Sequence, residues 1–196
     1  DNYLHFRPTY PPELATILAR LAPDQFLAVD AGCGTGQFST LLAPEFRKVL
    51  ALDISPAQIK AATPVSNVTY ICSAAHKTGL ENREVDLLVT AQAAHWFNLP
   101  EFYAEAKRIL KPDGVIALVT YGTFHLEGEI NERVQSFYQD EIGPFWPLER
   151  AHVENGYRNF DFPFRELALK APAIRRHWSL TAFIGYIATW SACKLA

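Results

Sequence analysis

The chain has 196 residues, enough for one domain with an added segment and for a sizeable core. Its formal net charge of −3, with lysines and arginines scattered, leaves no basic face, so nucleic acid is not an expected partner. Cys33, Cys72 and Cys193 are odd in number and far apart, which fits a reducing compartment without a disulfide frame; no signal peptide is read and no apolar run is long enough for a bilayer, so a cytoplasmic protein with no membrane partner is expected. Methionine is absent altogether, so missing or modified residues are expected, and the sequence leaves the oligomeric state open.

The chain opens with a polar, aromatic arm ending in Arg7-Pro8-Thr9-Tyr10-Pro11-Pro12. Its prolines favour extended backbone up to Tyr10 and a helix from Pro12, where Leu14, Ile17, Leu18 and Leu21 share one face. A short apolar run from Phe26 to Val29 then ends in Asp30 and is followed by Gly32-Cys33-Gly34-Thr35-Gly36. This reads as a buried parallel strand, a turn that brings backbone close to a ligand, and a helix N-terminus facing the same ligand.

The glycine spacing is G-x-G-x-G and not the dinucleotide G-x-G-x-x-G, and Asp30 stands two residues before the first glycine. A pyrophosphate is repelled by that carboxylate, whereas an ammonium group is attracted. The next apolar run, Val49 to Leu52, closes on a second acid, Asp53, placed to hold both hydroxyls of a ribose. An amino acid and a ribose in one site point to S-adenosylmethionine.

Phe38, Leu41 and Leu42 give the first following helix its buried side. Ser55-Pro56 caps and starts another helix, read through Ala62. Strands are predicted at Val68 to Cys72 and at Val85 to Ala91, the latter apolar enough to be covered on both faces. It runs into Gln92-Ala93-Ala94-His95-Trp96-Phe97, at a carboxyl strand end where ligands of open α/β sheets bind. Asn98 with Glu101 reads as a capping box, and Phe102, Ala106, Ile109 and Leu110 as a helix stripe. Lys111-Pro112-Asp113-Gly114 reads as a turn into a fifth strand from Val115 to Tyr121.

Beyond Tyr121 the alternation stops. Glu127 to Ile142 reads as a helix, residues 143–164 as irregular and aromatic, and Leu180 to Cys193 as helical. A lid after strand five fits this stretch; an ordinary helical layer fits it too. No convincing final strand pair is seen, so either Arg165 to Ile174 supplies one strand or the final hairpin is missing.

Four segments carry a family resemblance: Asp30-Ala31-Gly32-Cys33-Gly34-Thr35-Gly36, Leu52 to Pro56, Val85 to Phe97, and Ala106 to Leu118. The chain resembles the class I S-adenosylmethionine-dependent methyltransferases, closest to the small-molecule, trans-aconitate methyltransferase-like group. The resemblance implies an α/β, Rossmann-like fold: a central, mostly parallel sheet with helices on both faces and a helical or irregular lid after strand five. It implies an arm and helix over residues 1–22 covering the site, a cofactor-binding core at 23–122, and a covering region at 123–196. The cofactor set it implies is Asp30, Gly32, Cys33, Gly34, Gly36, Asp53, Ile54, Gln92 and Ala93, with Ser73 and Ala74 offering backbone groups to adenine. Ala75 and His76 stand where the family usually has an acid near the adenine.

Arg7 and Tyr10 are candidates for closing the site, against a surface arm with Tyr10 pinned to the core. Trp96 is either a wall of the methionine pocket or core. His95 is the candidate base or acceptor-orienting group, against a structural histidine beside Trp96. The strand-four end lacks the Asn/Asp-Pro-Pro-aromatic run of nucleic-acid amino-methyltransferases, the carboxylates of magnesium-dependent catechol enzymes, and the glutamate pair of arginine methyltransferases; the histidines show no ligand spacing, so no metal is expected. A small-molecule acceptor methylated on a carboxylate or hydroxyl oxygen is expected, with S-adenosylhomocysteine as product. A non-catalytic module that keeps the fold and cofactor is the alternative; a nicotinamide oxidoreductase is disfavoured by Asp30 and the glycine spacing.

Overall fold

In a computed structural model, residues 8–196 are described, and they fall into two compact units. The larger unit takes residues 10–120 and 159–173. It is built on a sheet of five strands: β1 (Leu27–Ala31), β2 (Lys48–Asp53), β3 (Val68–Cys72), β4 (Val85–Ala91) and β5 (Leu110–Val119). Their order is β3-β2-β1-β4-β5, and every neighbouring pair is parallel. The order reverses between β1 and β4, so the carboxyl end of β1 lies at the topological switch point where such sheets bind ligands. No antiparallel pair joins this sheet among the described residues, and residues 165–174 form no strand.

β1 and β4 are buried almost throughout because both faces are covered. On one face Val29, Ala31, Leu52 and Leu88 pack against Phe102, Ala106 and Ile109 of the helix Leu99–Ile109. Toward the other face lies the helix Gln37–Leu42, whose Ser39 bonds to Asp30 and whose Phe38 and Leu42 are buried. The period-two alternation of β1 thus sends Val29 to one layer and Asp30 to the other. The helix Pro12–Leu21 belongs to this unit, as do residues 159–173, whose Phe162 and Phe164 pack edge-on against Tyr103.

Several boundaries differ from expectation. The capping box does not form: the Asn98 side chain makes no cap hydrogen bond, and Glu101 lies 3.5 Å from His76 Nε2 instead. Pro56–Lys60 is shorter than read, with the Ser55 hydroxyl accepting from Gln58 N as its cap. β5 begins at Leu110, because Leu110 pairs with Val85 and Val115 with Leu87. Lys111 to Gly114 bulge out between these pairs opposite Asp86, with Asp113 in the left-handed region at φ 65°. The fully buried Asp86 carboxylate accepts from Phe26 N (3.2 Å), Leu27 N (2.9 Å) and Lys111 Nζ (2.7 Å), tying the bulge to the start of β1.

The smaller unit takes Pro8 and Thr9 together with residues 121–158 and 174–196. Its helix Ile130–Ser136 starts later than read, after Gly128 at φ 80°, and loosens into a π-turn over Phe137–Glu141. Short helical pieces follow at Gly143–Phe145 and Arg150–Glu154. The last helical stretch is broken into Leu180–Ile187 and Ser191–Leu195. Tyr138, Ile142, Tyr186 and Trp190 form its buried centre, with Phe124, Trp146 and Trp178 packed on it. No helix among the described residues is long and apolar enough to cross a membrane.

Candidate functional site

The carboxyl ends of β1 and β2 build one cradle. Gly32 N and Cys33 N both donate to Leu52 O, at 2.8 and 2.9 Å, which folds the glycine turn over the end of β2. Gly34 N donates to Asp53 Oδ2 and Ser55 N to Asp53 Oδ1, each at 2.8 Å. Asp53 therefore fixes the turn and the start of the next helix together, and each of its oxygens keeps a second lone pair. Gly32, Gly34 and Gly36 all have positive φ, at 73°, 56° and 85°. A Cβ on Gly32 would stand 2.5 Å from Ala93 Cβ, and one on Gly36 would overlap the Tyr70 hydroxyl. At Gly34 the nearest atom is Gln58 Oε1 at 3.9 Å, so the protein leaves the space over this peptide unfilled.

Asp30 is wholly buried beneath the turn. Ser39 Oγ donates to its Oδ2 at 2.6 Å, while Oδ1 is buried with no hydrogen-bond partner among the described residues. Burial pushes its pKa up from 3.8 to about 6, only partly countered by the hydrogen bonds from Ser39 and reinforced by the charge of Asp53. An orphaned buried carboxylate oxygen fits a cationic ligand group, since an unpaired buried charge is costly. Cys33 lies between these acids, its thiol donating to Gly34 O at 3.5 Å. Burial, with Asp30 and Asp53 adding, raises its pKa well above the ordinary thiol range, so it stays protonated and is no nucleophile.

Ile54 is 76 % exposed next to Asp53. Ser73 N donates to Asp53 O at 3.0 Å and Ser73 Oγ to Lys77 O at 2.7 Å, while Ala74 O accepts from Lys77 N at 2.9 Å. At the end of β4, Gln92 has φ 56°; its N–H donates to Val119 O at 2.8 Å and its Oε1 accepts from Thr120 Oγ1 at 3.0 Å. Ala93 backs Gly32 directly. His95 and Trp96 lie in the 3₁₀ turn Ala94–Trp96 with ring centroids 4.8 Å apart, and Trp96 is 64 % exposed, so it is not core. Tyr10 is buried edge-on against Phe38 at 5.1 Å, at the start of the helix after the glycine turn. Arg7 lies outside the described residues.

Sequence reading missed Ser39 and Tyr70. The signal for Ser39 was a small hydroxyl beside Phe38 on a short apolar helix; nothing in the sequence placed Tyr70 against Gly36.

Residues 29–118 match the family model described as a methyltransferase domain. The chain is 37 % identical over 194 residues to a protein of Dictyostelium discoideum named as a methyltransferase, covering 97 % of this chain and 74 % of that one. A solved structure from Anaeromyxobacter dehalogenans, described as a type II methyltransferase, is 43 % identical with a TM-score of 0.91, covering 96 % of this chain and 80 % of that one. A malonyl-[acyl-carrier protein] O-methyltransferase of Dechloromonas aromatica is 38 % identical over 117 residues, covering 57 % of this chain and 43 % of that one. The orphaned acid, the glycine cradle, the second acid and these likenesses lead to one conclusion: the chain belongs to the class I methyltransferases, enzymes whose cofactor is S-adenosylmethionine.

Proposed function

We propose that the enzyme methylates a carboxylate oxygen of a small-molecule acceptor. The observation that carries this reading is the chemistry at the end of β4. Between Gln92 and Phe97 the one ionisable side chain is His95, and its ring lies against Trp96, while the Gln92 amide is engaged by Thr120. A carboxylate is ionised at neutral pH and needs no base; an alcohol or phenol needs one. The relative from Dechloromonas aromatica, an O-methyltransferase of a malonyl group, supports oxygen as the acceptor atom.

When bound, S-adenosylmethionine supplies a sulfonium methyl that an acceptor oxygen takes by in-line displacement, leaving S-adenosylhomocysteine. The residues that hold it in this reading are those of the cradle. Asp30 Oδ1 pairs with the ammonium group, which relieves the unpaired buried oxygen. Asp53 uses its spare lone pairs on the ribose hydroxyls while still holding Gly34 N and Ser55 N. Ile54 and the backbone of Ser73 and Ala74 would hold the adenine. The Gly32–Gly36 turn, Cys33 included, would hold the methionine portion together with Gln92 and Ala93. Tyr10 holds the helix after the turn in place through Phe38. Alignment supplies much of the acceleration, roughly 7–11 kcal/mol for well-oriented reactants.

The test is a screen for methyl-ester formation across dicarboxylates, tricarboxylates and fatty acids against phenols and amines, with wild type and His95→Asn. Ester formation with less than about a tenfold loss in the variant is expected, because loss of a general base costs about 10²–10⁴-fold. Turnover on phenols or amines alone, abolished in His95→Asn, overturns the carboxylate reading and makes His95 the base.

A further inference from the structure

Within the smaller unit, one arginine is held along one edge and one face by its neighbours. Arg150 is only 21 % exposed at its side chain. Its guanidinium lies over the Trp146 ring, 4.8 Å from the centroid, and Nε donates to Tyr138 Oη at 2.9 Å. Tyr138 in turn donates to Glu154 Oε1 at 2.5 Å; burial and this bond hold its pKa up at about 12, so the phenol keeps its proton and its oxygen faces Arg150 as an acceptor. One face and one edge of the guanidinium are thereby fixed. Its Nη1 and Nη2 donate to nothing among the described residues, although they carry four of its five N–H groups. A second donor close by is also idle: Trp146 Nε1 is buried with no acceptor.

The buried indole N–H is costly to leave without an acceptor, and beside it stands a guanidinium whose Nη edge is open to solvent and to a ligand. We propose that Arg150 and Trp146 form a carboxylate-binding site, the Nη edge taking the two oxygens side by side and the indole N–H donating to one of them. The fork geometry of arginine suits a planar carboxylate. Glu154, 3.6 Å from Arg150 Nε, offsets the one cation of this cluster, so a singly charged carboxylate suits it better than a phosphate dianion. The purely structural role, a clamp between the Arg150–Glu154 helix and Tyr138, needs only Nε and leaves the buried indole N–H of Trp146 unexplained.

This site is independent of the acceptor reading above, and its test uses binding without S-adenosylmethionine, so either can fail alone. The full chain, labelled at its indole nitrogens, is titrated with acetate, propionate and butyrate, and with phosphate and chloride at matched ionic strength; Trp146→Phe assigns the resonance. A saturable shift of the Trp146 indole N–H by a carboxylate below about 10 mM is expected, weakened at least tenfold in Arg150→Lys, which keeps the charge but loses the fork. No saturable shift in wild type overturns the proposal even if the variant fails to fold. So does unchanged affinity in a folded Arg150→Lys, or phosphate binding more tightly than every carboxylate.

Discussion

Asp30 trades apo stability for binding in this reading. Its pKa of about 6, against 3.8 when exposed, corresponds to about 3 kcal/mol, an upper figure for so buried a group. Because the folded value is the higher, the native state holds this proton longer; that stabilisation is full below about pH 4 and lost as pH rises through 6. Asp30→Asn should therefore raise the melting temperature of the free protein at pH 7, change it little at pH 4, and lower cofactor affinity at least tenfold. In wild type, calorimetry should show affinity for S-adenosylmethionine falling as pH drops below about 6, when Asp30 takes a proton. A melting temperature and an affinity that fall together at pH 7 would make Asp30 a structural acid. Asp53→Ala removes the acceptor for both Gly34 N and Ser55 N as well as the proposed ribose contact, and should weaken binding by about 1–3 kcal/mol. Binding unchanged within error removes the ribose assignment. Both acids stand out in the sequence, because each closes an apolar run beside the glycine turn or the next helix start. Arg150 was not, since its partners Tyr138, Trp146 and Glu154 meet only after an irregular stretch folds.

At the scale of elements, β3 and β4 fall where period and composition put them, since each is bounded by polar turn residues. The start of β5 was hidden because Lys-Pro-Asp-Gly is a turn in its local chemistry, and pairing on either side makes it a bulge. What holds the bulge is Asp86, a carboxylate inside a strand that reads as apolar. This arrangement predicts an asymmetry. Lys111→Met leaves Asp86 buried with two backbone donors and no counter-charge, and should cost about 3 kcal/mol by urea unfolding. Asp86→Asn keeps an acceptor for Leu27 N and leaves a lysine that can turn to water, so it should cost less. The reverse order would mean that the backbone bonds, not the charge pair, hold the bulge. The capping box failed for a related reason: Glu101 found His76, a partner remote in sequence, and local pattern carries no such information.

The whole molecule is threaded in an order the sequence did not reveal. Phe162 and Phe164 sit in a stretch of dense aromatics with no periodicity, yet they return to the sheet unit and cover Tyr103. Each is half-buried, so Phe162→Ala and Phe164→Ala should each destabilise that unit by about 1–2 kcal/mol. Their rings are 5.4 Å apart, so the double variant should not be additive. Additive losses would mean that the two rings act separately. This return has a further consequence during synthesis, when the chain leaves the ribosome from its N-terminus. All five strands emerge first, but the sheet unit stays unfinished while residues 121–158 are translated, because its last piece is residues 159–173. A nascent chain stalled before Phe162 presents Tyr103 and the apolar flank of Leu99–Ile109 uncovered, a natural target for a chaperone, whereas one released past Ala173 does not.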